Sequence, residues 1–304
     1  MQTIRLAFLV TAYHKQEQLE RLLALLGRKF GHRNIFVHLD RKSTIDSSEL
    51  REHVHDELNV VKEYDVHWGG FNQLRSILSL VRMARASDRY DFMILLSGQD
   101  MPVVGVDTIL KTLSGNLGRS YIDCFQIPDS RWNYRGGLGR VQWFWFMDQV
   151  GRFRGVQRLH KISHYLFDRL DIRRPASRNR TFYGGSDWWM LPGDVASYCL
   201  DQFDVDARLR VCMKYSFIPT EMFFQTVIMN SRYRDSICDQ TLRYIPWSNP
   251  VAGHPDTISI EQVDAIAESG ALFARKFDFS TEEKAFRYYE ELFSNSVAIG
   301  DDQP

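Results

Sequence analysis

Leu6-Ala7-Phe8-Leu9-Val10 is an unbroken apolar run, the pattern of a strand covered on both faces. A polar turn follows over Thr11 to Lys15. Leu19, Leu22, Leu23, Leu25 and Leu26 then recur at helical spacing, with Gly27 as the expected stop. Ile35-Phe36-Val37-His38-Leu39 predicts a second strand, ending at Asp40-Arg41-Lys42-Ser43, and Asn59-Val60-Val61 a short third. Leu74, Ile77, Leu78 and Val81 mark another helix, and Phe92-Met93-Ile94-Leu95-Leu96 the fourth strand. Strand and helix in alternation predict an α/β fold: a mostly parallel central sheet flanked by helices.

The second half is less periodic. Arg131 to Arg140 reads as a loop rich in glycine and arginine that could line a groove, and the basic stretch Arg169 to Arg180 as a solvated loop. Tyr183-Gly184-Gly185-Ser186 predicts a turn before a short strand over Asp187 to Leu191. Pro192-Gly193-Asp194 opens one helix, and Pro219-Thr220-Glu221 starts another over Met222 to Asn230. Leu242-Arg243-Tyr244-Ile245 is a late strand. No repeat or linker interrupts the chain, so residues 1–293 are read as one domain and 294–304, which are polar, as a disordered tail.

Composition narrows the field. Lys plus Arg and Asp plus Glu balance at 38 each in 304 residues, so no global charge points to nucleic acid or an anionic membrane. The 4 cysteines show no zinc spacing, which suits ordinary thiols in a reducing compartment. The apolar run at residues 6–10 is too short to span a bilayer. Trp132, Tyr134, Trp143, Phe144, Trp145 and Phe146 cluster, as do Phe182, Tyr183, Trp188 and Trp189; such rings fill cores, and one or two can face a sugar in a cleft.

In open parallel sheets ligands sit beyond the C-terminal strand ends. That makes His14, His38, Asp40, Ser97, Gln99 and Asp100 the first candidates. A divalent ion on a diphosphate needs paired carboxylates, because hard cations prefer carboxylate oxygens. After the fourth strand only Asp100 is present; Asp204-Val205-Asp206 follows no buried strand and reads as a solvated segment. Without a metal, fixed cations must neutralise a leaving diphosphate, and Arg243, Arg275 and Lys276 are available. Arg275 and Lys276 equally fit a surface pair packed on Phe273 and Phe277. Glu221 fits two readings: a base held at a cleft edge, or a carboxylate that complements a helix dipole.

Seven ordered segments go further. They are Ile35 to Ser43, His67-Trp68-Gly69-Gly70, Leu95 to Pro102, Gly184 to Leu191, Pro219 to Thr226, Leu242 to Ile245 and Leu272 to Asp278. Together the set resembles the core-2/I-branching β-1,6-N-acetylglucosaminyltransferase family, which includes the peptide O-xylosyltransferases. The resemblance runs from the first strand to about Asp278. It implies a GT-A-like, Rossmann-related fold, a UDP-sugar donor, inversion at the anomeric carbon, and no metal or other cofactor. It implies that Glu221 is the catalytic base and that Arg243 and Lys276, with Arg275 adjacent, hold the donor diphosphate. Val10, His14, Val37, His38 and Asp40, the turn His67, Trp68 and Gly69, and the strand end Ser97, Gln99 and Asp100 complete the expected donor set. Ser186, Asp187 and Trp188 would face the sugar or acceptor.

Animal members carry a membrane anchor and a disulfide-bearing stem. This sequence shows neither and resembles the compact bacterial members, so a cytoplasmic location and a glycan or lipid-linked glycan acceptor are expected. N-acetylglucosamine and xylose are the expected sugars. A non-catalytic nucleotide- or carbohydrate-binding module is the alternative. A dinucleotide enzyme ranks last, because Thr11-Ala12-Tyr13-His14 lacks the glycine-rich turn that a dinucleotide requires.

Overall fold

Alternation inside the apolar runs decides which way each strand faces. The computed structural model describes residues 4–150, 156–175, 180–238, 240–248 and 253–296. It opens with β1 (Leu6–Ala12), α1 (Gln16–Phe30), β2 (Ile35–Leu39), α2 (Ser47–His53), β3 (Asn59–Val61), α3 (Phe71–Ser87) and β4 (Phe92–Ser97). In β1, Leu6, Phe8 and Val10 pack to one side of the sheet and Ala7 and Leu9 to the other. In β4, Phe92, Ile94 and Leu96 oppose Met93 and Leu95 in the same way. Both faces are therefore apolar, and the unbroken runs follow.

The chain continues through β5 (Asp100–Pro102), α4 (Val106–Ser114), β6 (Ser120–Ile122), β7 (Phe125–Gln126), the short turns α5 (Asn133–Gly136), α6 (Leu138–Gln142) and α7 (Met147–Val150), and α8 (Val156–Arg169). Next come β8 (Tyr183–Gly184), β9 (Trp189–Pro192), α9 (Gly193–Val205), α10 (Ala207–Lys214), a 3-10 turn at Pro219–Glu221 and α11 (Phe223–Met229). The last elements are β10 (Ile237–Cys238), β11 (Arg243–Tyr244), α12 (Val263–Glu268), β12 (Phe273–Arg275) and α13 (Glu283–Asn295).

The main sheet has 7 strands in the order β10-β6-β9-β4-β1-β2-β3. It is parallel except at β9, which runs antiparallel to both neighbours. This is the predicted mixed α/β fold. α1, α4 and α13 cover one face; α3, α9, α10 and α11 cover the other. The chain leaves β1 toward β2 and returns to β4 on its other side, so the strand order reverses at β1. The register sets Thr11 opposite both His38 and Ser97, which brings three candidate strand ends to one crevice.

Three expectations change. Gly27 does not end α1: a Cβ there would lie 2.0 Å from the His32 ring, so the glycine makes room inside the helix, and the stop is Gly31 at φ +87°. The stretch from Arg169 is not all solvated, for Arg174 is buried and donates to Cys212 O at 3.0 Å and Ser216 Oγ at 3.0 Å. The tail read as disordered from 294 begins as helix, since α13 runs to Asn295 and Ser296 Oγ accepts from Val106 N at 3.1 Å. Positions 297–304 lie outside the described residues. Among the described residues, no helix is long and apolar enough to cross a membrane.

Candidate active site

A second, 3-stranded sheet in the order β11-β12-β5 builds half of the site. β5 follows directly on the Ser97-Gly98-Gln99 turn and pairs antiparallel with β12, with Asp100 opposite Arg275. β11 pairs parallel with β12, with Arg243 opposite Phe273. The C-terminal cations are thus tied to the end of the central strand. Gln18, which the sequence did not flag, adds a second tie: its Nε2 donates to Gly98 O at 3.0 Å and Phe277 O at 3.1 Å.

Asp100 is fully engaged. Its Oδ2 accepts from Ser97 N at 2.7 Å and from Ser97 Oγ, and its Oδ1 pairs with Arg243 Nη1. Arg243 Nη2 donates to Leu95 O at 2.8 Å. Both side chains of the pair are 0% exposed. Arg243, expected on a diphosphate, thus has Nη1 and Nη2 occupied within the protein, while its Nε is buried without a hydrogen-bond partner. Its guanidinium lies 5.6 Å from both the Trp188 and the Phe273 ring centroids and is turned onto Asp100. Burial holds it below the usual arginine range, opposed by Asp100.

Arg275 is the available cation. Its guanidinium carbon lies 3.8 Å from the Trp188 ring centroid, and its Nε and Nη1 are buried without a hydrogen-bond partner. Lys276 is half-buried next to it; burial first, then Arg275 and Lys15, lower its affinity for a proton. A polyanion placed here would relieve both groups.

The nucleotide candidates separate. His38 is buried and stacks on Tyr64, and its Nε2 has no partner. Burial pushes it down to about 4, so the ring is neutral. Asp40 accepts from Lys42 N and Lys42 Nζ, each at 2.9 Å. Val10 and Val37 are 0% exposed in the core, so their side chains do not reach the crevice, because the alternation that seats His38 turns them inward. His14 stacks on Tyr13 at 3.8 Å, and Gln99 turns in to donate to Phe277 O at 3.3 Å.

The base candidate is Glu221, whose acidic neighbours are Asp187 and Asp123. Glu221 closes the 3-10 turn, separate from α11, so it is not part of an α-helical first turn and the helix-dipole reading loses its basis. Its Oε2 accepts from Arg140 Nη1 at 2.5 Å. Burial pushes Glu221 up to about 7; Arg140 opposes the shift, and Asp187 and then Asp123 add to it. The Arg140 guanidinium stacks 3.7 Å from the Trp132 ring centroid.

Small residues bring these groups together. Gly185 N donates to Glu221 O at 3.0 Å, and a Cβ on Gly185 would lie 1.9 Å from Asp123 O. A Cβ on Gly184 would strike the Trp132 ring at 2.2 Å. Ser186 N donates to Asp123 Oδ2 at 3.0 Å. Asp187 is half-buried and raised by burial, with Arg275 opposing. Gly69, at φ +73°, accepts from Ile218 N at 3.0 Å, which sets the His67-Trp68-Gly69 turn against the segment carrying Glu221. Trp68 is 62% exposed beside Phe217.

Arg140, Asp123 and Trp132 were missed as site residues. Arg140 and Trp132 fall in the loop read as a groove liner, but nothing local distinguishes Arg140 from Arg131 or Arg135. Among the described residues, no three His, Cys, Asp or Glu side chains group as metal ligands.

The crevice thus carries an acidic half around Glu221 and a cationic half around Arg275, on a mostly parallel α/β sheet. The sequence model of the Core-2/I-Branching enzyme family matches residues 6–267. The chain belongs to that family. It is 26% identical over 253 residues to xylosyltransferase 2 of Rattus norvegicus, covering 81% of this chain and 27% of the relative. It is 22% identical over 295 residues to xylosyltransferase sqv-6 of Caenorhabditis briggsae, covering 88% of this chain and 34% of the relative. The chain therefore spans about a quarter to a third of the length of these curated relatives. The crystal structure of mouse xyloside xylosyltransferase 1 in its apo form aligns over 88% of this chain and 96% of the other, with 12% identity and a TM-score of 0.37, too distant to define the fold.

Proposed function

We propose that the protein is an inverting, metal-independent transferase that moves xylose or N-acetylglucosamine from a UDP-sugar to a hydroxyl of a glycan or lipid-linked glycan. The observation that carries this reading is a carboxyl raised to about 7, bonded to Arg140 and neighboured by Asp187, together with the buried, unpartnered guanidinium nitrogens of Arg275 over the Trp188 ring. In the proposed step the acceptor oxygen attacks the anomeric carbon. Glu221 takes the hydroxyl proton as the new C–O bond forms. The bond from the anomeric carbon to the diphosphate oxygen breaks with its electron pair, and the charge left on UDP falls to Arg275 and Lys276. A neutral His38 with a free ring nitrogen suits a uracil edge, and Asp187 and Trp188 suit the hydroxyls and apolar face of the donor sugar. Arg243 acts from behind, holding Asp100 and the small sheet in place. Because Asp100 already serves Ser97 and Arg243, its carboxylate has little left to offer a cation.

The test is UDP release from UDP-xylose and UDP-N-acetylglucosamine, with water as acceptor. Glu221→Gln is expected to keep UDP affinity and lose turnover by more than about 100-fold, the scale of a missing general base. Excess chelator is expected to leave turnover unchanged. Turnover retained in Glu221→Gln, or lost to chelator and restored by manganese, contradicts the mechanism. UDP binding with no hydrolysis of either donor favours a binding module.

A further inference from the structure

Glu221 and Arg140 pose a chemical problem. A carboxylate bonded to a guanidinium at 2.5 Å is a weakened base, whereas a carboxyl buried beside other carboxyls is protonated and is no base at all. Both influences act on the one side chain. The Glu221 side chain is 26% exposed and faces Asp187 from the turn before β9 and Asp123 from the end of β6; Arg140, on α6, is the cation paired with it. Arg275 and Arg243 oppose the shift of Asp187.

Arg140 is itself held on several sides. Its side chain is 12% exposed, its guanidinium lies on Trp132, and its carbonyl accepts from Phe217 N at 3.0 Å. Trp132 in turn fills the space left by Gly184 and packs edge-on against Phe125. The guanidinium therefore sits in a fixed place, and the contact engages Oε2 alone. Oε1 makes no hydrogen bond among the described residues, which leaves one carboxylate oxygen to accept a proton while the other is held.

We infer that Arg140 is the positioning residue of this site: it orients Glu221 through Oε2 and keeps the carboxylate ionised in a cluster of acidic groups. The inference rests on the reading of Glu221 as the base. The alternative is that Arg140 only packs against Trp132 and the loop.

The experiment follows UDP release from UDP-xylose and UDP-N-acetylglucosamine between pH 5 and 9.5, in wild-type protein and in Arg140→Met, Arg140→Gln, Arg140→Lys and Glu221→Gln. Removing the cation lets the acidic neighbours act unopposed. The acid limb of the profile should then move up by about one pH unit or more, the usual effect of losing an adjacent opposite charge. Arg140→Met should lose about tenfold or more at pH 7 and recover most of that by pH 9, with UDP affinity unchanged. Arg140→Gln, which stays polar against Trp132, should show the same displacement if the methionine variant does not fold. Arg140→Lys should return the limb to within about half a unit of wild type. A loss equal at every pH, with the limb in place, overturns the assignment and leaves Arg140 as a packing residue even where Glu221→Gln is dead. Undiminished turnover in Glu221→Gln overturns the base reading, and this inference with it.

Discussion

The sharpest quantitative test concerns the buried pair of Asp100 and Arg243. Neither side chain has exposed surface, so each ion depends on the other and on a few backbone groups for what water would supply. At an effective dielectric of about 20, unit charges 4 Å apart attract by about 4 kcal/mol. Removing one partner forfeits that and leaves the other charge stranded, at a typical cost of about 3–5 kcal/mol. Asp100→Asn keeps the shape but removes the charge and turns one acceptor oxygen into a donor among groups that all donate. Arg243→Met strands Asp100 instead. Each should lower stability by about 3–5 kcal/mol and the melting midpoint by roughly 10 °C, given the two to four degrees per kcal/mol of chains this size. The double variant leaves no buried charge. It should cost at least about 2 kcal/mol less than the sum of the singles, a coupling expected of groups in direct contact. Urea unfolding followed by tryptophan fluorescence reports on this region, since Trp188 borders Arg243. A single variant costing under about 1 kcal/mol, or strict additivity in the double, refutes the view that this pair clamps the small sheet to β4.

Two further outcomes are expected. Glu221 ordinarily titrates at 4.5 and is raised to about 7 in the fold, so the folded state binds a proton more tightly than the unfolded chain. Its contribution to stability is then complete below about pH 4.5, falls as pH rises to about 7 and is flat beyond; Glu221→Gln should gain about 3 kcal/mol relative to wild type between pH 4.5 and pH 8, measured by urea titration, and a constant difference contradicts the shift. Gly185→Ala drives a Cβ into the Asp123 carbonyl, so it should cost about 1–3 kcal/mol in thermal melts and reduce UDP-sugar hydrolysis, because Ser186 and Glu221 both lean on that backbone. Full activity in that variant means the loop relaxes without moving the base.

The main sheet was legible because β1 and β4 carry unbroken apolar runs and β2 nearly so, a local signal. Their order required only that the strand ends collect around β1. The small sheet was harder. β5 is Asp100-Met101-Pro102, too short for periodicity, and its partner lies far along the chain. For the same reason the type and place of Arg243 were visible, but not its pairing with Asp100. Glu221 was singled out with its neighbouring motif, whereas Arg140, which bonds it, was hidden among several arginines in a loop whose pairing depends on a distant backbone turn. Gly27 misled because a glycine near the end of an apolar pattern signals termination, and only the His32 ring explains its real place.

The ties that complete the cationic half have a temporal consequence. Gln18 meets Phe277 across 259 residues of chain, Gln99 meets the same carbonyl across 178, and Arg243 meets Asp100 across 143. On the ribosome, β1 through β4 emerge and can associate long before Arg275 and Phe277 exist. The sheet can therefore form without the pocket. Until Arg243 and the segment through Phe277 have emerged, the nascent protein offers an open crevice with Asp100 uncompensated at its edge, and the cationic half is completed only after the sheet that carries it.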